Sequence, residues 1–496
     1  MPARHRKKCA GQRGAILPDF YCDVSQAGTP FDHFWEHSVG SGNAELALRA
    51  DWQAQLSRCR AELGFQHVRF HNLLSERLGA LVIVEDEPLY SFFNLDRIYD
   101  FLLSIGMRPF VELSFMPPAL ASGAQTVFHY QANVTPPKDY RQWAALIGRL
   151  VGHLAERYGP AELEAWHFEV WNEPNVKHMW GGSQADYFRL YRHTAEAIKA
   201  IHPDLQVGGP ATARNAWLPE FIAFGDENGV PADFVTTHHY PNDAFGPPEG
   251  GTRHQLAHIR RSVLREQAQD AKRQVGDRPL YYTEWNTSSD SRDPLHDEPY
   301  GAAFVAKTIM EAQGIVQGYD FWTFSDIFEE SYFPSQPYHG GFGLLNLYGV
   351  PKPSYRAFEL LHRLGERQLL LDGLHTTVDA WAVRGPAGLD FLLTNHALPD
   401  HPIRTERVRL HLTGAGRPAG ANLARIDADH ANPRAAWEQL GSPEYLDQAQ
   451  VAQLEKASEM HWEPLDAQAE DGRLAIELSL PPQAIACLNL VLAPGG

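Results

Sequence analysis

Eight times between residues 33 and 325 a short β-branched or aromatic run gives way to a longer segment of helical period. Eight such units are what closes a parallel barrel. The strand-like runs are "HFWEHSV", "HVRFH", "RPFVELSF", "HFEVWNE", "LQVGGPA", "DFVTTHHY", "LYYTEWN" and "YDFWTFS". The clearest helix is "DYRQWAALIGRLVGHLAERYG". There Trp143, Leu146, Ile147, Leu150, Val151 and Leu154 recur every three or four residues and form one apolar stripe. Gly159-Pro160 stops it. "KPSYRAFELLHRLG" reads as the helix that completes the ring. An open doubly wound sheet shares this alternation, but it more often carries a Gly-rich phosphate turn, and "VGSGNAE" only faintly echoes one. The predicted fold class is α/β, a (β/α)8 barrel.

From about Leu370 the period changes to two. "VDAWAVR", "LDFLLTN", "RVRLHLT" and "RLAIELSL" alternate apolar with polar residues between Gly, Pro, Asn and Asp, the pattern of antiparallel strands in a sandwich. "AAWEQLGSPEYLDQAQVAQLEKASE" interrupts them as a helical or loop-like insertion. The expected division is a catalytic barrel over 30–366 and an accessory β-sandwich over 367–496. Residues 12–29, through "GAILPDFYCDV", are a candidate extra strand of the second domain. A chain of 496 residues is long enough for both cores.

Composition narrows the partners. A net charge of −18 repels phosphate surfaces, so neither a nucleic acid nor an anionic membrane is expected, and a neutral small molecule suits it. No stretch has the length and apolarity to span a bilayer. Cys9, Cys22, Cys59 and Cys487 are scattered without CxxC spacing, which argues against a disulfide framework or a zinc site. The start "MPARHRKKCAGQRGAILPDF" is basic but lacks a following apolar run of signal-peptide length, so a cytoplasmic location is expected. No metal and no cofactor is expected, and oligomeric state is not legible.

Chemistry in such a barrel sits at the carboxyl ends of the strands. Glu173 closes the fourth run, in "WHFEVWNEPN", and Glu284 closes the seventh, in "LYYTEWN". Strands four and seven face each other across the mouth. Two carboxyl groups on opposite sides of a sugar can protonate a leaving oxygen and meet the charge growing at the anomeric carbon. Alone, Asn-Glu-Pro is equally well explained as turn chemistry; paired with "TEWN" at the right strand it reads as a site. Asn172 can donate its amide to a hydroxyl while accepting another bond.

These stretches, with "HFWEHSVGSG", "VRFHNLL", "NVTPPKDYRQW", "TTHHYP" and "FWTFSDIFEE", resemble glycoside hydrolase family 39, the β-xylosidase and α-L-iduronidase family of clan A. The resemblance runs through the whole barrel. It implies a retaining mechanism, with Glu173 as general acid/base and Glu284 as nucleophile. It also implies that Tyr240 donates to Glu284 and that His238 orients it or meets a hydroxyl. Arg69 is then a fixed cation beneath the nucleophile and His71 lies at the sugar hydroxyls. Trp322 supports the ring, and Glu330 binds distal hydroxyls.

Strand parity adds a separate constraint. Arg69 and His71 share one face of the second strand, and His238 and Tyr240 share one face of the sixth. Glu169 shares the facing of Glu173 unless a bulge intervenes, and an inward Glu169 needs a cation such as Arg69 beside it. His239 would then point outward against a helix. Each of these has a plainer reading: Arg69 as a structural ion-pair member, Trp322 as core, the double histidine as a metal pair. The leading expectation is an exo-acting β-D-xylosidase on xylo-oligosaccharides or another small glycoside. Other specificities within the family (α-L-iduronidase, β-glucosidase, α-L-arabinopyranosidase), a non-catalytic sugar-binding barrel and a metal-dependent hydrolase are the alternatives.

Overall fold

The computed structural model describes residues 18–246, 249–331, 333–386, 388–414, 418–470 and 473–491. Cys9, the basic start and residues 12–17 of the candidate extra strand lie outside them. Eight parallel strands form a closed barrel: β1 (Ser38–Asn43), β2 (His67–His71), β3 (Arg108–Leu113), β4 (His167–Val170), β5 (Gln206–Ala213), β6 (Phe234–His238), β7 (Leu280–Trp285) and β8 (Gly318–Phe321). β8 returns to β1 through Phe321 beside Val39, which closes the ring.

Helices follow the stripes that predict them. Tyr140–Tyr158 begins at Asp139, whose side chain accepts from the Arg141 N–H, and ends at Gly159 with φ 87°. Its stripe from Trp143 to Leu154 is fully buried, at about 1.5–3 kcal/mol for each large apolar side chain removed from water. Trp143 Nε1 donates to Thr194 Oγ1 (2.8 Å) on the neighbouring helix Gln184–Ile201, which starts with a Ser183/Asp186 capping box.

One expected strand is misplaced. "HFWEHSV" is not extended: Phe34–Glu36 is a short 3₁₀ turn and β1 begins only at Ser38. The Glu36 carboxylate holds that turn by accepting from His33 Nδ1 (2.6 Å) and His362 Nδ1 (2.9 Å). The glycine-rich half that faintly echoed a phosphate turn is the strand itself. A Cβ at Gly40 would lie 2.3 Å from Trp322 Cε3, and one at Gly42 would lie 2.8 Å from Phe328 Cδ2. The glycines are there to let β8 and its loop approach.

The amino end of the barrel is floored by rings. His37, His67, His167, Phe110, Phe234 and Tyr281 pack edge-to-face or stacked.

The accessory domain consists of two sheets around a separate apolar core that includes Phe391, Leu410, Leu423, Ile476 and Leu488. Asp19–Asp23 runs parallel to Glu406–Thr413 in one sheet, and Thr29–Pro30 pairs with Arg367–Leu369 in the other. The insertion folds as helices Pro433–Gln439 and Gln448–Ser458. It docks on the barrel through Trp437 and Leu454 against Tyr338 and Val350, and Arg58 pairs with Glu455 at 2.7 Å. No helix among the described residues is long and apolar enough to cross a membrane.

Candidate active site

The fourth strand ends earlier than its sequence suggests. β4 stops at Val170, before Pro174, because Trp171 (φ 73°) and Glu173 (φ 46°) turn the backbone left-handed. Each such non-glycine residue costs of order 1–3 kcal/mol and persists only where its surroundings hold it. Here Trp171 Nε1 donates to the Met179 carbonyl (2.9 Å) and the Glu173 N–H donates to the Ala211 carbonyl (2.8 Å). Asn175 clamps the end of β5: its Nδ2 donates to the Ala213 carbonyl (3.0 Å), and its Oδ1 accepts from the Ala213 N–H (2.9 Å). The Asn-Glu-Pro-Asn stretch is thus turn chemistry and an aimed carboxyl group at once.

Glu284, from the end of β7, meets Glu173 across the mouth, with an oxygen of each within 4.8 Å of the other. Both line a cleft of about 570 Å³. A larger cavity of about 920 Å³ lies at the far end of the barrel between His33, Glu36 and Arg384, away from both carboxyl groups. Glu284 Oε1 accepts from Arg69 Nη1 and Oε2 accepts from the Tyr240 hydroxyl, both at 3.0 Å.

Arg69 is fully buried and serves several acids. Its Nε donates to Glu169 Oε2 (2.5 Å), and its Nη2 lies 2.7 Å from Glu112 Oε2 and 3.0 Å from Asn172 Oδ1. The inward Glu169 thus has its cation, although the left-handed turn after Val170 means that strand parity with Glu173 does not carry through. His71 Nδ1 donates to Glu112 Oε2 (2.7 Å), while its Nε2 faces Glu330 Oε1 at 3.3 Å and Glu284 Oε1 at 3.6 Å. Burial works against its charge, but Glu112 and Glu330 outweigh burial and push its pKa up to about 10, so the ring is an imidazolium at neutral pH.

Proton positions near Glu173 follow from donor arithmetic. Thr283 donates its only hydroxyl proton to Glu169 Oε1 (2.8 Å), so His238 Nε2 must donate to Thr283 Oγ1 (3.1 Å). Nε2 also lies 3.5 Å from Arg69 Nη2, and the shorter contact decides. His238 Nδ1 then keeps a lone pair 3.0 Å from Glu173 Oε1, where it accepts from a protonated carboxyl. Burial lowers the His238 pKa to about 4, keeping the ring neutral. Burial raises the pKa of both acids, and the cations act on both. Only Glu284 has Arg69 in direct contact, so the proton of the pair resides on Glu173.

Trp322, 2% exposed, packs its ring 4.7 Å from that of His71 and lines the cleft with Glu330. All nine residues singled out from the sequence, Arg69, His71, Asn172, Glu173, His238, Tyr240, Glu284, Trp322 and Glu330, therefore converge on one mouth. His239 turns away: it is buried against Tyr282 and accepts or donates at Tyr319 OH (2.7 Å). Sequence reasoning passed over Glu112, which bridges Arg69 and His71. It also passed over Phe128, Asn175, His178, Arg214, Asp243 and Phe342 on the cleft wall. Glu112 had a signal, an acid at the end of a barrel strand; the wall residues come from loops. Glu173, His238 and Glu284 are also close enough to form a three-ligand metal group, as are His37, His67 and His167 in the floor.

Comparison with known proteins agrees with this geometry. The model of "Glycosyl hydrolases family 39" matches residues 21–475. A β-xylosidase of Caldicellulosiruptor saccharolyticus is 46% identical over 463 residues, covering 92% of this chain and 95% of that protein. One from Geobacillus stearothermophilus is 34% identical over 481 residues, covering 93% of each. The crystal structure of the GH39 enzyme from Xanthomonas axonopodis pv. citri superposes with a TM-score of 0.85 at 34% identity, covering 97% of this chain and 100% of that one.

Proposed function

The chain belongs to family 39 of the glycosyl hydrolases, and from that premise we propose that it is a retaining β-D-xylosidase releasing xylose from the non-reducing ends of xylo-oligosaccharides. The observation that carries this reading is the approach of Glu173 and Glu284 to within 4.8 Å. Retaining enzymes hold their two carboxyl groups about 5–5.5 Å apart, too close for a water to stand between them.

In the first step Glu284 attacks the anomeric carbon while Glu173 gives its proton to the departing oxygen. Arg69 and Tyr240 keep Glu284 anionic until it reacts. Forming the ester removes the negative charge beside Glu173, so its pKa falls. It can then take a proton from the incoming water, whose oxygen displaces Glu284 from the same face. His238, neutral, accepts the Glu173 proton's hydrogen bond in the resting state and fixes its direction.

The glycone half of the cleft bears Trp322 and Glu330 after β8, His71 at the end of β2 and Phe128 after β3. That half favours a single terminal ring. A uronic acid there would need a free cation for its carboxylate. Arg69 and His71 are already engaged by Glu112, Glu169, Glu284 and Glu330, which disfavours an iduronidase. A non-catalytic sugar binder would have no use for two acids with such different partners. The test is NMR of the first product from an aryl β-xyloside. β-Xylose must form first and then mutarotate; α-xylose as first product, or no turnover, would overturn the reading.

A further inference from the structure

Arg214 stands at the cleft wall one residue past β5, in left-handed backbone at φ 63°. Its N–H donates to the His238 carbonyl (2.9 Å), so its position is tied to the strand that carries His238. Its Nε donates to Asp243 Oδ1 (3.1 Å), and Asp243 Oδ2 in turn accepts from the Tyr240 N–H (2.8 Å). The two Nη groups have no hydrogen bond within the described residues, and the side chain is 59% exposed. A guanidinium presents two edges to carboxylates. Asp243 occupies the Nε side and leaves the Nη1–Nη2 edge open to the cleft.

The side of the cleft matters. Glycone groups come from β8, β2 and the β3 loop, whereas Asn175, His178, Met179, Arg214 and Asp243 follow β4, β5 and β6. Glu173, the proton donor, stands on that second half. Arg214 and His178 are near enough for their charge to favour its ionised form, although burial prevails. Whatever leaves with the proton of Glu173 therefore leaves past Arg214.

We propose that Arg214 forms a leaving-group subsite for a carboxylate, so that the enzyme prefers xylosides whose aglycone is acidic, as a uronic acid is. This rests on the β-xylosidase reading above and names its substrate class. A neutral hydroxyl could be bound by an amide or hydroxyl side chain; an open, oriented guanidinium edge is matched to an anion, and here it acts locally against the negative field of the whole chain. The neighbouring acids do not cancel it. Glu173 holds a proton in the resting state; Asp243, whose pKa burial raises to about 6, offsets part of the charge but engages only the Nε side, so the Nη1–Nη2 donors stay free for a ligand.

The test compares 4-(carboxymethyl)phenyl and 4-(2-hydroxyethyl)phenyl β-xylosides, whose phenols differ little in acidity. The wild type should show kcat/KM about 3–10-fold higher for the acid in about 0.02 M salt, with the ratio shrinking toward one in about 0.5 M salt. Arg214→Gln should bring the ratio to one or below at low salt, and Arg214→Lys should retain part of it. A wild-type ratio at or below one overturns the proposal without any variant, as does a ratio unchanged in a folded Arg214→Gln protein. Failure to cleave either xyloside would instead defeat the functional reading on which it rests.

Discussion

Replacing Tyr240 by phenylalanine removes one oxygen and with it the hydrogen bond to Glu284 Oε2 at 3.0 Å. The ring is 7% exposed and Glu284 6%, so little water can take the place of the lost donor. A buried hydrogen bond to a charged group contributes about 1.5–3 kcal/mol. Tyr240 donates far more strongly to the ionised form of Glu284 than to the neutral acid, so losing it disfavours that form and raises the pKa. At about 1.36 kcal/mol per unit the rise is about 1–2 units. The acidic limb of the kcat/KM profile reports the ionisation of the nucleophile in the free enzyme, so it should move to higher pH by that amount. The alkaline limb, which reports Glu173, should stay within about 0.3 units, because Glu284 is anionic throughout that range in both proteins. Profiles on an aryl β-xyloside from about pH 4 to 9 measure both limbs. An acidic limb that stays in place or moves down would refute the argument that Tyr240 maintains the charge on Glu284.

Substitutions at two further positions test the frame around the pair. Arg69→Met leaves Glu112, Glu169 and Glu284 buried without their shared cation, and chemical denaturation should show a loss of about 3–5 kcal/mol; a variant as stable as wild type would show the cluster to be held by something else. Arg69→Lys should rescue little, since one ammonium cannot span three carboxylates and Asn172. Gly40→Ala places a methyl 2.3 Å from the Trp322 ring and should cost about 1–3 kcal/mol with a raised KM, read by melting and steady-state kinetics; unchanged KM would separate the Trp322 position from substrate binding.

The barrel was legible because each strand-helix unit carries its own change of period, and eight such units leave few architectures. Where residue preferences and packing disagree, the reading failed. Phe34-Trp35-Glu36 has strand-like residues, yet the charge on Glu36 is met by His33 and His362 in a 3₁₀ turn. The glycines of β1, poor strand formers, are extended because Trp322 and Phe328 need the space. Parity on β2 was enough to group Arg69 with His71, and His238 was grouped with Tyr240 because the backbone stays extended past the end of β6. The same parity places Glu112 on the face of β3 that carries Phe110 into the barrel, a signal that was not followed. Arg214 and Asp243 had no comparable signal. The place of Arg214 depends on Ala211, Arg214, Asn215 and Trp217 all taking positive φ, which the sequence does not announce, and that of Asp243 on the 3₁₀ turn Pro241–Phe245 after β6.

The roles of the two carboxyl groups can be separated by the hand of one product. An alanine in place of Glu284 leaves room for azide on the nucleophile's side of the sugar, and attack there inverts the anomeric centre. An alanine in place of Glu173 lets the ester form and azide then displace Glu284 from the opposite side, with net retention. With an activated aryl β-xyloside, the account predicts α-xylosyl azide from Glu284→Ala and β-xylosyl azide from Glu173→Ala. The same anomer from both variants, or the two anomers exchanged, would contradict it.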